Sequence, residues 1–356
     1  HYYSRMAVAP DDHNEAHFLA TSHTKSYDGG LTIEYAGAGG DNHDMWIDPK
    51  MPDRMIVGHD GGLSISTTRG ESWWRPRLPI AQMYHAYTDN QVPYFVYGNR
   101  QDGMSHRGPS NSLTGGSIPI GAWHSVGGCE SGFAIPDPVE NHIVWSGCYE
   151  GILSRYDVRN GHSRNVSVWP DNPEGWPAGE LRYRFQWTFP IAISPHDHTR
   201  VYAGSQHVHQ TTDGGHSWRV ISPDLTTNDK SKQQKTGGLT PDDASPTYAA
   251  TLFAIAESPV EEGVIWTGSN DGLVQITRDG GTNWTEKFVI DPDNEGPKRA
   301  YDPELWIDPE GRLWSFWAVT IGHDGTIAGV WAKVNNNPGN ADSDWSEPKR
   351  ITDGIM

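Results

Sequence analysis

Apolar residues in this chain fall in short runs rich in Val, Ile, Trp, Phe and Tyr, each bounded by Gly, Pro, Asp or Asn. Runs of that kind between turn residues read as strands. One larger unit recurs: an apolar run, a Pro/Asp turn, a second apolar run, then a Gly-containing hairpin. It is visible at 6–26, 45–66, 86–106, 133–155, 191–211, 253–277 and 305–332. A fixed unit repeated along the chain decides the architecture. Seven units of four strands predict an all-β, seven-bladed β-propeller forming a single domain, with blades at about 1–40, 41–79, 80–127, 128–169, 180–224, 246–290 and 300–356. Between blades, 169–180 and 225–246 are the longest insertions, and 346–352 can supply the fourth strand of the last blade.

A shorter motif sits inside the units: SYDGGLTI (26–33), STTRGESW (66–73), TTDGGHSW (211–218) and TRDGGTNW (277–284). A Ser or Thr is followed by an Asp (Thr68 in the second copy), a Gly and a terminal aromatic or apolar residue. The carboxylate can accept backbone N–H bonds across a tight turn, while Gly supplies positive φ. These segments resemble the Asp-box of BNR-repeat proteins. Residues 1–290 resemble bacterial sortilin-type BNR propellers through GDNHDMWIDP, GNRQDG, YRFQWTFPIAISPHD, VISPDLTTND and TGSNDGLVQITRDGGTNW. Sialidases and xyloglucanases use the same box. YDPELWIDPEGRLWSFWA, within 301–336, resembles a sialidase-like glycosidase blade without a recognisable Asp-box. A last blade from another branch and a composite chain are both open readings, and the sequence does not decide whether 297–356 evolved with the rest.

Composition narrows the class. With 40 Gly, 25 Pro and 16 Trp in 356 residues, a helical protein is not expected. No stretch approaches the ~20 apolar residues of a membrane helix. The first ten residues, HYYSRMAVAP, read as carrying no targeting signal, and a start at His1 reads as a processed or trimmed chain. Lys+Arg 27 against Asp+Glu 45 gives −18, so neither nucleic acid nor an anionic membrane is an expected partner.

Propeller topology then sorts the loops. Box turns share one face with the Pro/Asp turns. The inter-blade entries and the second hairpins share the other face, around the channel mouth. Entries place Arg5, His43, Asp44, Tyr84, His85, Glu130, Tyr183, Arg184, Tyr248, Asp302 and Glu304 there. The hairpins add His59, Asp60, Gln101, Asp102, Tyr149, Glu150, Gln206, His207, Asn270 and Asp271. A ring this rich in ionisable and aromatic groups is a candidate site. Glycoside hydrolysis needs two carboxyls in different environments, for which Asp44, Asp102 and Glu130 are the candidates. Arg5 and Arg184 could clamp an acidic sugar, and Tyr84, Gln101, Tyr183, Tyr248, Asn270 and Asp271 could line its path. His43 or His85 could instead act as the base of a polysaccharide lyase. The resemblance to sortilin-type domains implies a third possibility, non-catalytic capture of a glycan or peptide. Sialidase activity, which that family's pattern ties to three arginines and a Tyr–Glu pair, is not expected: only Arg5, Arg100 and Arg184 are placed at the mouth, and no such pair emerges.

His207 and His209 share one side of a strand, yet no zinc spacing surrounds them, so neither metal nor cofactor is expected. Cys129 and Cys148 fall near one end of adjacent strands, which predicts a disulfide and an extracellular or periplasmic location.

Overall fold

A computed structural model describes residues 4–78, 80–237, 243–289, 298–308, 310, 312–321, 326–336, 346 and 349–353. The chain divides into two compact units, His1–Ala81 and Gln82–Met356.

The first unit holds two sheets. Sheet 1 runs through Arg5–Val8, Ala16–Leu19, Ser22–Ser26 and Glu34–Gly40, each strand antiparallel to the one before. Sheet 2 has Asn42–Ile47, Met55–His59 and Gly62–Ser66. Its expected fourth strand is reduced to one bridge, Ile65 to Trp74. Two residues later Pro76 cannot donate to a ladder, so pairing stops there. Leu19 and Ala38 of sheet 1 pack on Val57 of sheet 2.

The second unit holds five four-stranded sheets, all up-and-down and antiparallel. Sheet 3 is Tyr87–Thr88, Phe95–Gly98, His106–Pro109 and His124–Ser125. Sheet 4 is Ala134–Pro136, Ile143–Gly147, Leu153–Asp157 and His162–Asn165. Sheet 5 is Ile191–Ile193, Val201–Gly204, Val208–Thr211 and Arg219–Val220. Sheet 6 is Leu252–Glu257, Ile265–Ser269, Leu273–Thr277 and Trp284–Val289. Sheet 7 is Lys298–Ile307, Leu313–Ile321, Thr326–Asn335 and Lys349–Asp353. The protein is thus all-β, with six four-stranded sheets and one three-stranded sheet among the described residues. No described helix is long and apolar enough to cross a membrane.

The core of the second unit lies between successive sheets. Ile135, Trp145 and Leu153 of sheet 4 meet Phe185, Ile191 and Val201 at sheet 5. Tyr202 and Val208 then pack with Leu252 and Ile265 of sheet 6, whose Trp266 and Val274 pack with Leu305 and Leu313 of sheet 7. Central strands are therefore covered on both faces, and every residue of Ile143–Gly147 is buried. Each fully buried Leu, Ile or Val in such a strand contributes about 1.5–3 kcal/mol.

Box turns close the ends of the third strands and fasten neighbours together. In the third box Asp213 accepts N–H and O–H bonds from Ser217 at 3.0 and 2.6 Å, while Gly215 N–H donates to Thr211 Oγ1 at 3.0 Å. The box tryptophan reaches further. Trp73, Trp218 and Trp284 each donate the indole N–H to a carbonyl at the outer edge of the preceding sheet: Ala36 (2.9 Å), Val166 (2.8 Å) and Ile221 (3.0 Å). The second box glycine allows that approach. A Cβ on Gly215 (φ +80°) would lie 2.6 Å from Val166 Cβ, and one on Gly281 (φ +103°) 2.5 Å from the Ile221 carbonyl. Asp28 and Asp279 are pulled down to about 2, chiefly by backbone N–H bonds from Thr32 and Asn283. Asp213 is lowered in the same way, mainly by its side-chain bond from Ser217.

Candidate functional site

At the opposite strand ends of the second unit, side chains from sheets 3, 4 and 5 converge. Tyr84 enters sheet 3, and Gln101 and Asp102 tip its second hairpin. Glu130 enters sheet 4, Tyr149 and Glu150 tip its second hairpin, and Trp187 enters sheet 5. Both hairpin tips are left-handed, with φ +56° at Asp102 and +63° at Glu150. Few residues other than Gly adopt that region, so the surroundings hold these two acids in place.

One bonding network joins the group. Trp187 Nε1–H donates to Tyr84 Oη at 3.1 Å, and Tyr84 O–H donates to Gln101 Oε1. The Gln101 amide nitrogen then donates to Asp102 Oδ1 (3.1 Å) and Glu130 Oε2 (2.9 Å), while Asp102 N–H donates to the same Glu130 oxygen at 2.8 Å. Beside this network Tyr149 and Trp187 stack, centroids 4.7 Å apart and planes 10° apart. Ser131 Oγ–H fixes the Trp187 carbonyl at 2.6 Å. A disulfide joins Cys129 to Cys148, Cα atoms 4.7 Å apart, so the two chain segments bearing Glu130 and Tyr149–Glu150 are covalently tied.

The electrostatics single out Glu150. Burial raises its pKa, the neighbouring charge of Glu174 raises it further, and the Ser245 backbone N–H opposes both. Glu174 and Ser245 come from the two long insertions, which bind each other: Gly175 N–H donates to the Asp243 carbonyl at 2.7 Å and Gly179 N–H to that of Gln233 at 3.0 Å. Burial also raises Tyr149, with Glu130, Glu150 and Glu174 adding to it, and raises Tyr84, with Glu130 and Asp102 adding.

Other sequence candidates are occupied by the fold. Arg184 is 4% exposed; its guanidinium donates to the Ala250 carbonyl (3.0 Å) and to Asp224 (2.9 Å). Tyr248 is buried and donates to the Pro173 and Trp176 carbonyls, at 2.9 and 3.1 Å, which anchors an insertion. Asn270 bridges Thr251 N–H and the Tyr248 carbonyl (3.0 and 2.8 Å), and Asp271 caps Thr227 at 2.8 and 2.6 Å. His85 contacts the Gly132 carbonyl at 3.0 Å and stacks on Phe133. Tyr183 meets His209 edge-on at 4.6 Å. His207 and His209 are engaged separately, by the Ser222 carbonyl (3.2 Å) and Ser205 Oγ (2.7 Å), and burial lowers His209 to about 3. In the first unit Arg5 is exposed on its strand, His43 pairs with Asp60, and Asp44 accepts the Met45 N–H at 2.9 Å. The side chains of Asp302 and Glu304 lie outside the described residues.

Two open grooves, of about 550 and 380 Å³, lie at box turns and not at this mouth. Arg200, Arg219 and Asp279 line the first; Lys25, Tyr35, Trp73 and Arg75 line the second.

No protein-family model matches the chain, and no curated protein matches its sequence. Solved structures do resemble it at low identity. An ancestral GH74 enzyme aligns over 99% of this chain and 39% of its own, with 13% identity and a TM-score of 0.41. An auxiliary nutrient-binding protein from Bacteroides thetaiotaomicron aligns over 88% of this chain and 66% of its own, at 10% identity and TM-score 0.33. YCF48 bound to D1 peptide aligns over 92% and 91%, at 12% identity and TM-score 0.36. This chain therefore spans less than two thirds of the first two proteins.

Sequence reasoning placed Tyr84, Gln101, Asp102 and Glu130 at one mouth, and these four side chains do meet. It passed over Trp187 and Glu174. The signal for Trp187 was its place three residues after Arg184, at the entry of a strand. Glu174 had none, because its role depends on how an insertion folds back.

Proposed function

We propose that this chain is a carbohydrate-active β-propeller of seven blades, of glycoside hydrolase type, acting on a glycan at the Tyr149–Trp187 mouth. One observation carries the reading: two carboxyls in different environments, Glu150 and Glu130, both act electrostatically on Tyr149 of the aromatic pair. Glu150 is pushed toward its protonated form by burial and by Glu174. Glu130 accepts two N–H bonds, which favour a carboxylate. An acid and a base separated by environment are what glycosidic cleavage requires, and aromatic faces suit the apolar faces of sugars. Glu150 is the general acid and Glu130 the carboxylate partner, with Asp102 and Gln101 orienting it. Arg184 and the two candidate lyase bases, His43 and His85, have the other partners described above and are not assigned a role.

A second reading, non-catalytic capture of a glycan or peptide, is favoured by the Gln101 amide, which ties Asp102 and Glu130 together instead of leaving both open. The test is a panel of oligosaccharides assayed for new reducing ends and for unsaturated uronates, in parallel with glycan and peptide arrays. Hydrolysis predicts that Glu150→Gln loses about 10²–10⁴-fold in turnover while still binding substrate. Because the acid must be protonated, turnover falls as pH rises through the raised Glu150 pKa, and Glu174→Gln moves that fall to lower pH. Binding lost in Trp187→Ala, with no substrate turned over by the parent protein, selects the second reading.

A further inference from the structure

Buried in the first unit is a line of charged and titratable groups that the proposed function does not use. Glu15, His17 and His23 are 1%, 0% and 0% exposed. His17 Nε2 lies 3.1 Å from Glu15 Oε1, and His17 Nδ1 lies 3.0 Å from His23 Nε2. The line continues into sheet 2: Arg69 donates to Glu15 at 2.6 Å and to both oxygens of Asp11, at 3.0 and 2.8 Å. Arg69 holds φ +53° in the second box, where the other three boxes have Gly. Next to it Trp73 presents its ring edge-on to His23, centroids 5.7 Å apart, while its indole binds Ala36. The joint between sheets 1 and 2 therefore runs through this array.

With both imidazoles neutral, the bonds allow one arrangement of hydrogens. A carboxylate only accepts, so His17 Nε2 carries the hydrogen toward Glu15. His17 Nδ1 must then accept, so His23 Nε2 carries the second. His23 Nδ1 is left bare, buried and without a partner. An added proton has no acceptor there, and with both rings protonated N–H faces N–H across 3.0 Å. The remaining charges around the pair are mixed. Lys25 on the third strand of sheet 1 is bound to Tyr27 (2.7 Å) and Glu34 (3.4 Å), and Arg69 is bound to Asp11 and Glu15, with Asp53 at 3.9 Å. Lys25 and Arg69 oppose a charged imidazole at His17, and Glu15 favours it.

We propose that Glu15, His17 and His23 form an acid-sensitive latch between sheets 1 and 2, closed while both imidazoles are neutral and released when they are protonated. Burial agrees in direction, holding His17 low and His23 at about 4. Exposed imidazoles titrate near 6.5, so acid favours the open state, by up to about tenfold per pH unit for each proton taken up.

The experiment follows ¹⁵N imidazole resonances and amide exchange of the full chain from pH 7.5 to 4.5, with exchange corrected for its intrinsic pH dependence. The expected result is at least a tenfold loss of protection in Ala16–Ser26 and Gly70–Trp74, tracking imidazole protonation, with Ile143–Gly147 unaffected. His17→Asn/His23→Gln flattens that dependence. Protonation that leaves protection unchanged overturns the latch, as does an equal loss in the double variant or titration of both rings near 6.5 without opening. If the double variant does not fold, the parent titration alone decides.

Discussion

The two ends of the strands in the second unit follow different rules. At the box end, two copies of one turn repeat the same bonds: Asp213 and Asp279 each cap a turn, and Trp218 and Trp284 each reach the sheet before. At the mouth end the hairpins of sheets 3, 4 and 6 differ from one another, and only the backbone bridge of Asn270 is repeated among the described hairpins, by Gln206 of sheet 5. Gln101–Asp102 build a bonding network, Tyr149–Glu150 supply a ring and a desolvated acid, and Asn270–Asp271 only pin the backbone. Repetition marks where the architecture is held, and its absence marks where chemistry has been free to vary. This is the usual division between scaffold and loops.

That contrast can be broken by moving damage from one end to the other. The largest effect is expected at the covalent tie. Cys129→Ser/Cys148→Ser removes a crosslink closing a loop of 19 residues, worth about 3 kcal/mol by chain entropy. Denaturant unfolding should record the loss. Ligand binding should suffer too, since the bond joins the segments bearing Glu130 and Tyr149. Trp218→Ala comes next, at about 3 kcal/mol, with binding by the folded fraction unchanged. Trp187→Ala should show the reverse, a small change in stability and loss of ligand. If the two tryptophans behave alike, the division of labour fails.

A finer contrast lies within the boxes. Gly30 and Gly215 both have positive φ, +91° and +80°, but a Cβ at Gly30 meets nothing within 4 Å. Alanine at Gly30 should cost about 1–2 kcal/mol from backbone strain alone. At Gly215 it should cost more, because Val166 is in the way; equal melting shifts would mean that the approach to Val166 is unimportant. The smallest effect is electrostatic. Asp28, Asp213 and Asp279 have lowered pKa values, so their contribution is complete above the ordinary Asp value and is lost as pH falls from about 4 toward 2. Asp213→Asn should remove part of the acid slope of the unfolding free energy.

Much of this fold can be read from the sequence because its signals are local. A box is eight consecutive residues, and the paired apolar runs flank one turn. The fourth strand of sheet 2 failed as an expectation through an equally local cause, Pro76 just beyond Trp74. The mouth was legible where a residue's role follows from its position, as with Gln101 and Glu130. Where the role is set by distant chain, it was not. Arg184 reads as a ligand clamp until the carbonyl of Ala250, held at φ +61°, takes its guanidinium. Glu150 reads as one more hairpin acid until two insertions fold together and set Glu174 and Ser245 against it.

The backward reach of the box tryptophans has an evolutionary corollary. The bond from Trp218 lands on Val166 and that from Trp284 on Ile221, so each sheet carries the fastener for its own N-terminal junction. A gene segment duplicated from one box to the next would arrive with that fastener included and would need only a free carbonyl edge to receive it. Growth of such a chain by copying requires no prior change in the copy already present, whereas each new mouth hairpin is released to diverge.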